Sequence, residues 1–227
     1  MATEDKAAKA SQEPDAIQRA IEYGVDVTLL RENLKRTPAE RMENAQDWVL
    51  FAEELGAASK SPNHAASRQR HLLDVLDSHS VKYVIVGDVA TIAHGARCAD
   101  MVLQLCFARE VSILEKLARA LAPLQPRLRG VDENLPFVLD ERTLRNGLNF
   151  TLVTDAGNLD LLGEVAGIGD YRKVLANSEA ILIYEREQHV LTLEALIRAK
   201  KAAGRQKDLQ ALPELEALLE LKNRGDA

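Results

Sequence analysis

The sequence predicts an α/β domain, α+β by some conventions: a mixed β-sheet flanked by helices, with an N-terminal helical arm. Three observations predict it. Val81 to Val86 is an apolar, β-branched run that stops at Gly87, the pattern of a buried strand. Leu148–Thr154 and Leu159–Leu162 flank the turn residues Asp155, Ala156, Gly157 and Asn158, a hairpin signal. Helical periodicity separates these strands and closes the chain.

Residues 1–14 are polar and read as a disordered tail. From Asp15, the residues Ile17, Ile21, Val25, Leu29 and Leu30 recur at helical spacing, with Gly24 breaking the run near Tyr23. Thr37, Pro38 and Glu40 spell a helix start: a cap, a first-turn proline and a capping-box acid. That helix carries Met42, Ala45, Trp48, Val49 and Ala52 on one face and ends near Gly56, so 15–56 form the arm. Trp48 and Phe51 read as docking residues. Residues 57–67 form a linker, and 68–223 the main domain. The arm is too short to be stable alone and must dock on the main domain or on a partner.

Within the main domain, helix 68–79 leads into the strand ending at Val86. Helix 88–94 closes at His94 and Gly95, strand 101–107 follows, and helix 110–122 stops at Pro123. Residues 123–136 look irregular, with Arg127 and Arg129 in a loop or an added basic rim, and 137–139 suggest a short strand. After the hairpin come helix 170–177, strand 180–184 and helices 192–203 and 206–223.

Composition excludes several classes. The net charge of −6 over 227 residues lacks the basic excess of a broad nucleic-acid surface. Cys98 and Cys106 have no spaced Cys/His companions for zinc, and no disulfide framework is implied. The N-terminus lacks a signal peptide's apolar core, and no apolar run approaches the roughly 18 residues that span a bilayer. The sequence therefore predicts a cytoplasmic protein with no membrane partner.

The informative stretch is strand, glycine, helix, His-Gly, strand, with an acid on a later hairpin. It runs Val84-Ile85-Val86-Gly87-Asp88, then Ala93-His94-Gly95-Ala96-Arg97, then Val102-Leu103-Gln104-Leu105, and ends in Gly157-Asn158-Leu159-Asp160-Leu161-Leu162-Gly163-Glu164. With the tail Leu193 to Leu209, this resembles the minimal nucleotidyltransferase superfamily over roughly 68–212, and more narrowly the abortive-infection toxin-like nucleotidyltransferases. The resemblance implies a nucleotidyltransferase-like fold and metal-assisted transfer of a nucleotide from a triphosphate to an acceptor. It also implies a toxin–antitoxin or defence setting. Such enzymes hold Mg2+ with Asp-x-Asp on one strand and a third acid on a neighbour; residues i and i+2 of a strand share a face.

Residue by residue, the match is degenerate. Gly87 matches the small residue of the phosphate turn, but Asp88 follows it and would repel triphosphate. The Asp-x-Asp pair falls on Val102 and Gln104, and a one-residue shift does not restore it. Asp160 matches the third acid and is the one metal-ligand candidate left. Lys200 and Lys201, with Arg205 and Lys207, are candidate phosphate contacts or a favourably charged helix end. His94 is a candidate base or a helix cap, and Cys106 a core residue.

The expectation is a catalytically degenerate protein with no confident cofactor, which binds a nucleotide or protein partner. One alternative is an active transferase that uses Mg2+ at a rearranged site of Asp88, Asp100, Asp160 and Glu164 and modifies RNA or protein. Another is a non-catalytic scaffold, a homodimer through the arm.

Overall fold

The structure, a computed structural model, describes residues 15–45, 64–98, 102–132 and 136–225. Asp15 and Asp26 cap α1 (Ala16–Glu22) and α2 (Val27–Leu34), each carboxylate accepting from first-turn amides. The helix over 38–45, α3, opens on the expected capping box: the Thr37 amide donates to Glu40 Oε2 at 2.7 Å and the Glu40 amide to Thr37 Oγ1 at 3.3 Å. The expected tail, the linker up to residue 63, and Trp48 and Phe51 lie outside the described residues.

The main domain runs α4 (His64–Ser78), β1 (Tyr83–Val86), α5 (Gly87–His94), β2 (Leu103–Phe107), α6 (Val111–Leu121), β3 (Arg127–Leu128) and α7 (Glu141–Asn146). There follow β4 (Asn149–Thr154), β5 (Gly157–Leu162), β6 (Glu164–Val165), β7 (Gly169–Asp170), α8 (Tyr171–Ala176), β8 (Ser178–Ile183), β9 (Arg186–Leu191), α9 (Leu193–Ala203) and α10 (Gln206–Arg224). Seven strands form one mixed sheet, in the order β3-β4-β5-β2-β1-β9-β8. β1 with β9 and β2 with β5 are the parallel pairs; the other neighbours are antiparallel. The mixed α/β class predicted from sequence is thus the one observed.

β1 lies in mid-sheet with all four residues buried, as its unbroken apolar run requires. β5 alternates instead: Leu159 and Leu161 are buried, while Asp160 and Leu162 are half-buried on the opposite face. α8 packs against β1, β2 and β9, α4 against β5, and α5 against α9. The arm joins the same core. Ile17, Ala20, Leu30, Leu34 and Met42 are buried in it, and α1 and α2 both pack on α10. Polar contacts fix α1 there: Ala16 N donates to Glu220 Oε2 at 2.7 Å, and Arg224 pairs with Asp15 at 2.7 Å.

Several expectations change. Residues 137–139 are not a strand; the edge strand is β3, within the stretch expected to be irregular. α4 starts at His64 rather than 68. β9 was not anticipated, and it supplies the parallel neighbour of β1. Among the described residues, no helix is long and apolar enough to cross a membrane.

Candidate functional site

The strand register lines up one row of residues across the sheet. Val86 of β1 pairs with Gln104 of β2, Gln104 with Asp160 of β5, and Asp160 with Thr151 of β4. Arg129, just past β3, donates its backbone N–H to Thr151 O at 2.9 Å and so ends the row. The row therefore brings together Gly87, Gln104 and Asp160, three of the residues singled out from sequence, and adds Arg129.

Both Asp160 oxygens are engaged. Gln104 Nε2 donates to Oδ2 at 3.0 Å, and Arg129 Nη2 donates to Oδ1 at 2.8 Å. The ion pair is half-sheltered, with 30% of the Arg129 side chain and 13% of that of Asp160 exposed. Arg129 Nη1 is buried and has no hydrogen-bond partner among the described residues. The other end of the Gln104 carboxamide lies on Gly87. A Cβ there would fall 1.6 Å from Gln104 Oε1, and Gly87 holds the left-handed φ of +64° that glycine tolerates. The amide thus fills the close-approach space that a glycine turn would offer a phosphate.

This donor set does not fit a Mg2+ site. Mg2+ demands several short oxygen contacts, chiefly from carboxylates and water. Val102 has no ligating atom, Gln104 turns its NH2 rather than an oxygen to Asp160, and the one carboxylate already faces a permanent cation. Among the described residues, no three His, Cys, Asp or Glu side chains are grouped to hold a metal. Of the rearranged set, the described members do not form a group of three acids. Glu164 follows Gly163 beyond the end of β5, on β6 against Asp170, and Asp100 lies outside the described residues. Asp88 is buried in the first turn of α5, and Val102 is half-buried just before β2.

Lys200 and Lys201 face α10. Lys200 Nζ lies 3.7 Å from Asp208 Oδ1, and Lys201 Nζ 2.5 Å from Glu216 Oε1. Arg205 adds a 2.6 Å contact to the same Asp208. Lys200, Lys201 and Arg205 of the basic cluster read from sequence are therefore paired with acids of the next helix. Arg127 pairs with Asp155 across the hairpin at 3.6 Å. Cys106 is fully buried, and burial pushes its thiol up to about 12.

His94 neither caps α5 nor faces solvent. Gly95, at a φ of +112°, is the left-handed cap. His94 is 1% exposed; its Nε2 hydrogen-bonds Leu191 O at 2.8 Å, while Nδ1 lies 3.4 Å from Lys222 Nζ and 3.8 Å from Glu179 Oε1. That geometry selects the tautomer protonated at Nε2. Burial above all, helped by the Lys222 and Arg41 charges and opposed by the Leu191 carbonyl, pulls the imidazole down to about 4. Arg41 of the arm closes this end of α5. It donates to Ala93 O at 2.7 Å and to the last carbonyls of α2, Asn33 O at 2.8 Å and Leu34 O at 3.0 Å.

A shallow cleft of about 250 Å³ lies beyond the C-terminal ends of β2 and β5, lined by Arg109, Glu110, Gly163, Asp170, Tyr171 and Arg172. Its charged groups already have structural partners: Arg109 donates to Gly147 O and Arg145 O, Asp170 caps α8, and Glu110 lies 3.9 Å from Arg172. The Asp160 row is the better candidate because it gathers the sequence-marked residues. A comparison with protein-family models and with curated proteins found no match for this chain.

Proposed function

We propose that this chain is a nucleotidyltransferase-like protein that does not carry out metal-dependent nucleotidyl transfer and acts in the cytoplasm by binding a partner. The observation that carries the reading is Asp160, its two oxygens taken by Gln104 and Arg129 while the Gln104 amide covers Gly87. Among the described residues, a nucleophilic hydroxyl would meet no metal-ligand set here. The candidate phosphate contacts Lys200 and Lys201 are committed to Asp208 and Glu216. A protein partner is therefore favoured over a nucleotide. A toxin–antitoxin or defence role is what the family resemblance implies for such a protein.

The arm favours an associated reading, contact with a protein or with a second copy of the chain. Ile21 and Tyr23 at the end of α1 are 50% and 57% exposed, though α1 itself packs on α10.

The test is a transfer assay with α-labelled nucleoside triphosphates, Mg2+ or Mn2+, and RNA and protein acceptors. No label transfer is expected. Transfer that Asp160→Ala abolishes would overturn the reading.

A further inference from the structure

Arg129 was no part of the ligand pattern read from sequence, yet it makes the shortest contact to Asp160. Its backbone is pinned to Thr151 of β4, and its guanidinium reaches back over that strand to Asp160 Oδ1 at 2.8 Å. A guanidinium stays charged at any pH the fold survives. A divalent ion beside Asp160 would therefore confront a fixed positive charge in addition to the missing carboxylates.

We propose that Arg129 is the chain's own cation at Asp160, a tethered replacement for a divalent ion, and that it actively keeps such ions off this row of the sheet. The inference rests on the non-catalytic reading and goes beyond it: loss of acids alone leaves a weak site, whereas a resident guanidinium makes a closed one. The two have different consequences. If missing carboxylates were the whole cause, restoring one at position 104 would restore affinity. If Arg129 closes the site, the restored acid gains nothing until the guanidinium leaves.

Mn2+ is the probe, titrated by electron paramagnetic resonance against the full chain, with far-UV circular dichroism to verify folding. Gln104→Asp alone is expected to bind Mn2+ no more tightly than the parent chain. Gln104→Asp with Arg129→Gln is expected to bind at least ten-fold more tightly, and adding Asp160→Asn should erase the gain. Gln104→Asp with Arg129→Lys keeps the charge and should gain nothing. The proposal is overturned if Gln104→Asp alone gains as much as the double variant, or if the folded double variant gains nothing.

Should the double variant not fold, the parent chain decides. Its Arg129 side-chain nitrogen resonances should resist paramagnetic broadening by millimolar Mn2+, and broadening that Asp160→Asn removes overturns the proposal. Mn2+ bound at Asp160 without label transfer would sink this inference and spare the non-catalytic reading.

Discussion

At its C-terminal end α5 meets Arg41, Leu191 and Lys222; at its N-terminal end it meets Gln104, with Asp160 and Arg129 beyond. Both ends gather charged side chains against one sheet, but they complete them differently. Arg41 uses Nε, Nη1 and Nη2 on three carbonyls. Among the described residues, Arg129 uses Nη2 on Asp160, and its buried Nη1 has no partner. The first arrangement is what structural polar groups in an interior require. The second is a counter-ion to a single carboxylate. The difference separates an arginine bonded through three nitrogens at the C-terminal end of α5 from one paired through a single nitrogen near its N-terminal end.

That contrast predicts unequal costs. Arg41→Met removes three charge-assisted bonds and takes the guanidinium donor from the Leu34 and Ala93 carbonyls, so it should destabilise the fold by about 3 to 4 kcal/mol. Arg129→Met breaks one partly exposed pair and should cost about 1 kcal/mol. Urea unfolding followed by circular dichroism measures both. Equal costs, or the reverse order, would break the distinction between the two ends.

The second prediction sharpens the C-terminal end through pH. Burial holds His94 neutral in the fold, its pKa pulled down to about 4 from the ordinary imidazole value of 6.5. The unfolded chain therefore binds a proton at His94 between those values while the folded chain does not. Stability is fully present above about pH 6.5, falls as pH drops toward 4, and then levels off, for a total of roughly 3 kcal/mol. Lys222 on α10, Arg41 on α3, Glu179 on β8 and Glu194 on α9 all face or act on this imidazole. His94→Gln keeps an amide donor for Leu191 and should flatten that segment of the profile relative to the parent. Parallel profiles for the two proteins would show that His94 does not titrate as described.

Much of the fold was legible because burial writes itself into composition. β1 is buried on both faces and reads as an uninterrupted apolar run, and Thr37 with Glu40 announced α3 through a local bond. β9 was not legible. Its residues Arg186, Glu187, Gln188 and His189 carry no strand pattern, and its hairpin turns on Tyr184 and Glu185, both at positive φ where Asn-Gly would have signalled the bend. The candidate site divides the same way. Gly87, Gln104 and Asp160 were marked by the family resemblance, and strand pairing sets them in one row. Arg129 reaches Asp160 only because the two-residue β3 adds to β4, and two residues leave no periodicity to read.

The third prediction turns the comparison on the two glycines that bound α5. Both hold left-handed φ values, +64° at Gly87 and +112° at Gly95. A Cβ at Gly95 would meet neighbours no nearer than 3.6 Å, so Gly95→Ala costs only backbone strain, about 1 kcal/mol. A Cβ at Gly87 would land on the Gln104 carboxamide and drive it off Asp160, so Gly87→Ala should cost about 2 kcal/mol. Gln104→Ala clears that space. In its background the Gly87→Ala penalty should shrink to that of Gly95→Ala, a coupling of about 1 kcal/mol in a double-mutant cycle. A penalty that ignores the presence of Gln104 would mean its amide does not rest on Gly87 in solution. The glycine turn would then be open to a ligand, and the N-terminal end of α5 could no longer be distinguished from a working phosphate cradle.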